Sequence, residues 1–188
     1  MNRETIEIMK KFEGFTDGVR LLMLTKRVKE GGKFNRPDWN AKRIVSKNKE
    51  DFEEILDLLL DVKDTDYRIY SSVNTRDIEK GIRKFKIEQL EADYYCEKDR
   101  HKFYYDIKNR WISALMQPSC RSGKNFLIDI DEGDDDEKAI EKQIKKKGIV
   151  TVLRYDTKNG RHIITEPFNP ALLPGVEIKK DALLLLSF

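Results

Sequence analysis

The sequence has few cysteines and no long apolar segment. Cys96 and Cys120 are its only cysteines, and they form neither a CxxC motif nor the framework of a disulfide-stabilised secreted fold. No apolar run approaches the ~20 residues that a membrane helix requires, and the first residues lack the pattern of a signal peptide. These absences predict reduced thiols, a cytoplasmic location and no membrane partner.

A strong excess of charge of one sign is also lacking. Lys and Arg number 37 against 34 Asp and Glu, and the formal net charge is +3. Any attraction to nucleic acid must therefore come from local patches, of which the basic segment 68–86 is a candidate. A solvated helix face is the simpler explanation of such a run.

Internal repeats, low-complexity segments and Pro- or Ser-rich linkers are absent from the sequence. Its 188 residues are enough to bury a hydrophobic core without disulfides or a structural metal. We therefore expect residues 1–188 to form a single domain.

Periodic apolar residues predict alternating helices and strands in the first half of the chain. Asn48 is a good helix N-cap, and apolar residues recur at helical spacing over 52–59. The alternation over 67–73 predicts a strand, after which Asn74 and Thr75 are expected to cap a second helix.

Residues 92–116 are rich in aromatic side chains, several of which fall on one helical stripe. Such a stripe is more often part of a hydrophobic core than a platform for stacking bases. We expect the core role here.

The last third of the chain has the pattern of an antiparallel unit. The stretch 125–131 is a hydrophobic strand with an acidic end, and the helix that follows it ends before Gly148. The Asn-Gly pair at 159–160 predicts a hairpin between strands 149–155 and 161–165, and a further pair of short strands is expected after it. The expected fold class is α+β, with a mixed or antiparallel sheet and flanking helices.

Asp129 and Asp131 are the residues that point most directly to chemistry. Side chains two apart on a strand project to the same face, so both carboxylates are expected to face one pocket. Neighbouring carboxylates favour a hard cation such as Mg²⁺ or Mn²⁺. A turn or helix-cap role for Asp131 is the competing explanation, and a lone strand histidine such as His162 is more often structural than catalytic.

The order of these motifs resembles the catalytic core of the archaeo-eukaryotic primase superfamily, the primase-polymerases. In that family an Asp-x-Asp pair on a hydrophobic strand precedes a small-residue-x-His motif on a hairpin strand, and a third acid follows. Asp129 and Asp131 match the first motif. Gly160 and His162 match the second, with Gly160 in a place often held by serine. The resemblance covers about residues 120–188.

The resemblance implies an RRM-like catalytic core, with an N-terminal α/β module over 1–118 and a catalytic-motif module over 119–188. It also implies a metal-dependent nucleotidyltransferase, a DNA or RNA primase or primase-polymerase of a virus or mobile element. The implied partners are nucleoside triphosphates, a single-stranded nucleic-acid template, and a helicase or other replication protein.

The same resemblance assigns roles to particular residues. Asp129, Asp131 and a third acid would be catalytic and would bind two divalent metals, Mg²⁺ or Mn²⁺. Asp181 is the first candidate for the third acid, and Glu166 and Glu177 are alternatives. The expected nucleotide-binding residues are His162, Arg161, Lys158 and Gly160, and the expected nucleic-acid contacts are Arg68, Arg76, Arg83 and Lys84.

Two other functions stay open at this point. A non-catalytic member of the same fold would bind nucleic acid or a nucleotide, which Gly160 in place of serine favours. A metal-dependent nuclease would use the Asp pair with His162 as proton carrier. Its further acid would be Glu132, Asp134 or Glu166.

Overall fold

The computed structural model describes residues 18–26, 42–60, 67–95, 97–131, 137–157 and 160–187, together with Glu7. Within these ranges the chain is α+β, and its strands form two four-stranded antiparallel sheets flanked by helices. The expected class is confirmed, with two sheets where the sequence suggested one.

The first sheet has the strand order β2-β1-β3-β8. Helix α1, Lys49–Leu60, has Asn48 as its N-cap: Asn48 Oδ1 accepts a hydrogen bond from the N–H of Asp51 at 2.8 Å, and Asp51 accepts one from the N–H of Lys47 at 2.7 Å. This start is the one that the sequence predicted. The four strands are β1 Arg20–Lys26, β2 Lys42–Ser46, β3 Tyr67–Ser72 and β8 Leu183–Ser187.

Three helices follow β3: α2 Ile78–Tyr95, α3 Glu97–Tyr105 and α4 Ile107–Met116. They divide the aromatic stretch 92–116 among them. Phe103 and Leu115 are buried, and the rings of Phe103 and Trp111 both contact Phe85, so these members of the stripe belong to a core. Among the described helices, none is long and apolar enough to cross a bilayer.

The cap expected at Asn74 and Thr75 was wrong. Asp77 accepts a hydrogen bond from the N–H of Lys80 at 3.0 Å and caps α2 instead. Asn74 bonds the backbone of Asn125 in both directions, at 2.7 and 2.9 Å. Its side chain therefore ties the end of β3 to the segment that leads into the second sheet.

The second sheet has the strand order β5-β6-β4-β7. The predicted hydrophobic strand, helix and hairpin are all present, and Gly148 ends the helix with φ +66 in the left-handed region. The two short strands expected after the hairpin also form, but each joins a different sheet. The elements are β4 Phe126–Asp131, α5 Glu137–Lys146, β5 Thr151–Thr157, β6 Gly160–Thr165 and β7 Glu177–Lys179.

A shared hydrophobic core connects the two sheets. One cluster joins Ile69 and Leu186 of the first sheet to Leu127 and Ile164 of the second. Burying each of these side chains stabilises the fold by about 1.5–3 kcal/mol. The opposite face of the second sheet packs on α5, through Ile128, Ile130, Ile163, Ile140 and Ile144.

The pairing of β8 with β3 joins the two expected modules, residues 1–118 and 119–188, within one sheet. β8 follows the motif-bearing segment in the chain but completes the first sheet. The boundary at 118 is therefore crossed by a strand as well as by the shared core.

Candidate functional site

The motif residues meet on two neighbouring strands in the middle of the second sheet. Asp129 of β4 lies directly opposite His162 of β6, and Asp131 lies opposite Gly160. Directly opposed residues share a face of the sheet. The backbone thus brings both motifs together, while the side chain of Asp131 lies outside the described part of the structure.

His162 is held between a carboxylate and a phenol. Its Nε2 lies 3.0 Å from Asp129 Oδ1, and its Nδ1 lies 2.8 Å from the hydroxyl of Tyr155, which is opposite it on β5. The tautomer with the proton on Nε2 satisfies both contacts, because Nε2–H donates to Asp129 and Nδ1 accepts from Tyr155. Tyr155 therefore fixes which nitrogen faces the carboxylate.

Lys179 binds the second oxygen of Asp129. Its Nζ lies 2.6 Å from Asp129 Oδ2 and 3.3 Å from Glu177 Oε1. Glu177 is directly opposite Asp129 in the pairing of β4 with β7. Two acids from neighbouring strands therefore share one ammonium group.

These contacts change how the groups ionise. The hydrogen bond from His162, and then that from Lys179, hold the pKa of the Asp129 carboxyl well below its usual range, against the opposing effect of burial. Burial, with a smaller contribution from the Asp129 charge, raises the pKa of Tyr155 far above its ordinary value. Burial lowers the pKa of Lys179, but its bonds to Asp129 and Glu177 outweigh this and raise it overall. Asp129 is therefore ionised and Tyr155 neutral at physiological pH.

The site lies where the shared core ends. Leu127 and Ile164 are two positions along their strands from Asp129 and His162, on the same face of the sheet, and are fully buried in that core. The side chains of Asp129 and His162 are 20% and 10% exposed. The two polar side chains therefore lie directly beside buried apolar residues and remain partly accessible to solvent.

Asp181, the first candidate for the third acid, is bound by Arg76. Both guanidinium NH groups donate to its carboxylate, at 2.9 and 2.8 Å, and the two side chains are only 4% and 14% exposed. Asp181 was predicted to bind a metal as the third acid, and Arg76 was predicted to contact the template. Either role would require the ion pair between them to break. Glu177 is the acid that lies beside Asp129.

Arg161 does not share the face of Asp129. It is opposite Ile130, and its guanidinium donates to Asp156 at 2.6 Å and to Glu141 of α5 at 2.8 Å. Adjacent residues of a strand project to opposite faces, so Arg161 lies on the α5 side while His162 lies on the side of Asp129. Lys158, the other predicted phosphate contact, lies outside the described residues.

The four predicted nucleic-acid contacts differ in exposure. Arg68 and Arg76 are buried, at 5% and 4% of their full exposure. The side chain of Arg83 is 76% exposed and lies 3.5 Å from Glu79, and Lys84 is partly exposed on the same helix. Only the pair on α2 is accessible to a template phosphate.

Among the described residues, no three His, Cys, Asp or Glu side chains are close enough together to hold a metal ion. Glu166 is exposed just after β6. Glu132 and Asp134, candidate acids of the nuclease hypothesis, lie outside the described part of the chain. The metal ligands predicted from the sequence therefore stay a prediction.

Tyr155 and Lys179 are members of the site that sequence reasoning missed. A signal for Tyr155 existed, because a hairpin that pairs Thr157 with Gly160 also places Tyr155 opposite His162. Lys179 had no local signal, since its position depends on β7 pairing with β4, far away in the sequence.

Comparison with known proteins adds no relative: no family model, curated protein or solved structure matches this chain.

Proposed function

We propose that this protein is a metal-dependent nucleotidyltransferase of the primase-polymerase type, with its site on the β4–β6 face of the second sheet. The observation that carries the proposal is the pairing of Asp129 with His162 at 3.0 Å, together with Asp131 opposite Gly160. These are the two motifs on which the resemblance rests.

The topology of the second sheet supports the same proposal. A strand, a helix, a hairpin and a final strand follow one another, and the first and third strands lie in the middle. An RRM-like module has this order, and the short helical turn Pro170–Leu172 stands where such a module has its second helix. Asp129 and His162 occupy its two central strands.

The donor chemistry fits Mg²⁺ or Mn²⁺. Carboxylate oxygens are the ligands that these hard cations prefer, and Asp129 is ionised at physiological pH. Asp129 and Asp131 would hold the metal, with Glu177 as third acid because it adjoins Asp129 while Asp181 is bound to Arg76. Bound metals would stabilise the attacking and leaving oxygens of an in-line phosphoryl transfer.

The histidine has a separate task in this proposal. In the structure its Nε2–H group donates to Asp129, so a nucleotide phosphate would compete with that carboxylate for the proton that Tyr155 keeps on this nitrogen. The buried Tyr155 ring and the core beneath it hold the imidazole in place.

The test is incorporation of labelled nucleotides on a single-stranded template with Mn²⁺ or Mg²⁺. Wild-type protein is expected to extend a primer or make products de novo, and Asp129→Asn with Asp131→Asn is expected to lose this activity. Asp57→Asn, on an exposed part of α1, is the matched control. Products that persist in the double variant would refute the proposal, and a shortened template would indicate a nuclease.

A second candidate function has its own supporting observation. Both oxygens of Asp129 already have cationic or N–H partners within the chain, Lys179 and His162. A non-catalytic protein that binds a nucleotide or nucleic acid would need no metal there. Retained binding without incorporation in the wild-type protein would favour this candidate.

A further inference from the structure

Lys179 and Arg76 each bind an acid that the resemblance marks as a candidate metal ligand, but their settings differ. Arg76 is 4% exposed and grips Asp181 with two hydrogen bonds. Lys179 is 39% exposed and touches Asp129 through a single ammonium group on a flexible stem. The Asp129 side chain, which is 20% exposed, would keep its hydrogen bond from His162 if Lys179 moved away. The Asp181 side chain is 14% exposed and receives both of these hydrogen bonds from Arg76.

The ammonium of Lys179 occupies one oxygen of Asp129. Its Nζ is 2.6 Å from Oδ2, while His162 contacts Oδ1, so a divalent cation that binds Oδ2 would lie against the ammonium group. Two cations on the same oxygen repel one another, and each therefore weakens binding of the other. Glu177 Oε1 lies 3.3 Å from the same Nζ, so a metal that also binds Glu177 would displace the lysine from both acids.

We propose that Lys179 is an exchangeable countercation of Asp129, which a divalent metal displaces when it binds. This inference rests on the proposed function, because it requires a metal at Asp129. Its consequence is that the chain's own lysine weakens metal binding and raises the concentration of metal at which the site fills.

The first test is titration of the full chain with Mn²⁺ alone, with calorimetry as the measurement of Mn²⁺ affinity. Lys179→Met is expected to bind Mn²⁺ roughly tenfold more tightly than wild type, within the usual range for coupling between two ligands. Lys180→Met, an exposed neighbour that makes the same change in net charge, is expected to match wild type. Equal affinity of Lys179→Met and wild type would overturn the proposal.

The second test needs no variant. Mild acylation with a lysine-directed reagent, read by mass spectrometry, reports how accessible each amine is. Labelling of Lys179 is expected to rise several-fold when Mg²⁺ is added, while labelling of Lys180 stays constant. Unchanged labelling of Lys179 at a Mg²⁺ concentration that fills the site would overturn the proposal.

The two levels of the hypothesis fail in different ways. If wild type and Lys179→Met both fail to bind Mn²⁺, the metal at Asp129 is refuted and the exchange with it. If both bind Mn²⁺ equally, only the role of Lys179 is refuted and the proposed function stands.

Discussion

The hydroxyl of Tyr155 lies 2.8 Å from Nδ1 of His162, on the opposite side of the imidazole from Asp129. The same hydroxyl is 3.3 Å from the backbone carbonyl of Leu185 on β8. The hydroxyl has a single proton, so when it donates to Nδ1, the shorter contact, it does not donate to Leu185. The Tyr155 hydroxyl nevertheless lies beside both β6 and β8, where the two sheets meet.

Tyr155→Phe should lower the free energy of unfolding by about 1–3 kcal/mol, because it leaves the buried Nδ1 of His162 without its donor. The phenyl ring would still fill its place in the core. Chemical denaturation measures the loss, and ¹⁵N shifts of His162 should show a mixture of tautomers. Tyr105→Phe, at a position 96% exposed, is the control. Identical stability and tautomer in Tyr155→Phe and wild type would contradict this role.

The ionisation of Asp129 predicts how stability depends on pH. Its pKa is lower in the folded protein than in the unfolded chain, where it is roughly 3.9. The stability it contributes is therefore present at neutral pH and is lost as the pH falls through the folded value. The difference in unfolding free energy between wild type and Asp129→Asn should shrink as the pH falls from about 5 toward 2. A difference that stays constant over this window would contradict the lowered pKa.

The choice of third acid can be tested with two variants. Asp181→Asn should cost about 3 kcal/mol or more of stability, since it leaves Arg76 buried without its partner, but should not change Mn²⁺ affinity. Glu177→Gln should weaken Mn²⁺ binding with little effect on folding, because that side chain is 59% exposed. Combining Arg76→Met with Asp181→Leu should restore much of the stability. Loss of Mn²⁺ binding in Asp181→Asn alone would return the third-acid role to Asp181.

Nucleic-acid binding should depend on α2 rather than on the buried arginines. Arg83→Ala and Lys84→Ala should each weaken binding to a single strand and reduce the salt slope by about 0.7 per lost phosphate contact. Arg68→Met should lower stability and leave the salt slope unchanged, since Arg68 is buried. Filter binding at several salt concentrations measures these slopes. Unchanged salt slopes in both α2 variants would show that Arg83 and Lys84 do not contact nucleic-acid phosphates.

Local patterns were enough to predict much of the fold. The N-cap at Asn48, the strand that carries Asp129 and the hairpin that carries His162 each depend on residues close together in the sequence. The resemblance predicted that the last two elements form one site, and in the structure Asp129 lies opposite His162. The spacing of apolar residues and the residue types at turns are enough for such predictions, without knowledge of tertiary contacts.

Contacts between residues far apart in the sequence could not be predicted from local patterns. The pairing of β8 with β3, the bonds between Asn74 and Asn125, and the ion pair of Arg76 with Asp181 all join distant segments. A basic residue in a charged run has the same local pattern whether it is buried against an acid or exposed on a helix. The sequence therefore predicted the same role, a nucleic-acid contact, for Arg76 and Arg83. In the structure Arg76 is buried and Arg83 is exposed.

The most direct test of the central claim uses the two histidines of the chain, His101 and His162. Mn²⁺ added in small amounts should broaden the imidazole NMR signals of His162 and leave those of His101 on α3 sharp. Asp129→Asn should abolish the selective broadening. Equal broadening of both histidines, or selective broadening of His162 that persists in Asp129→Asn, would contradict a metal site at Asp129.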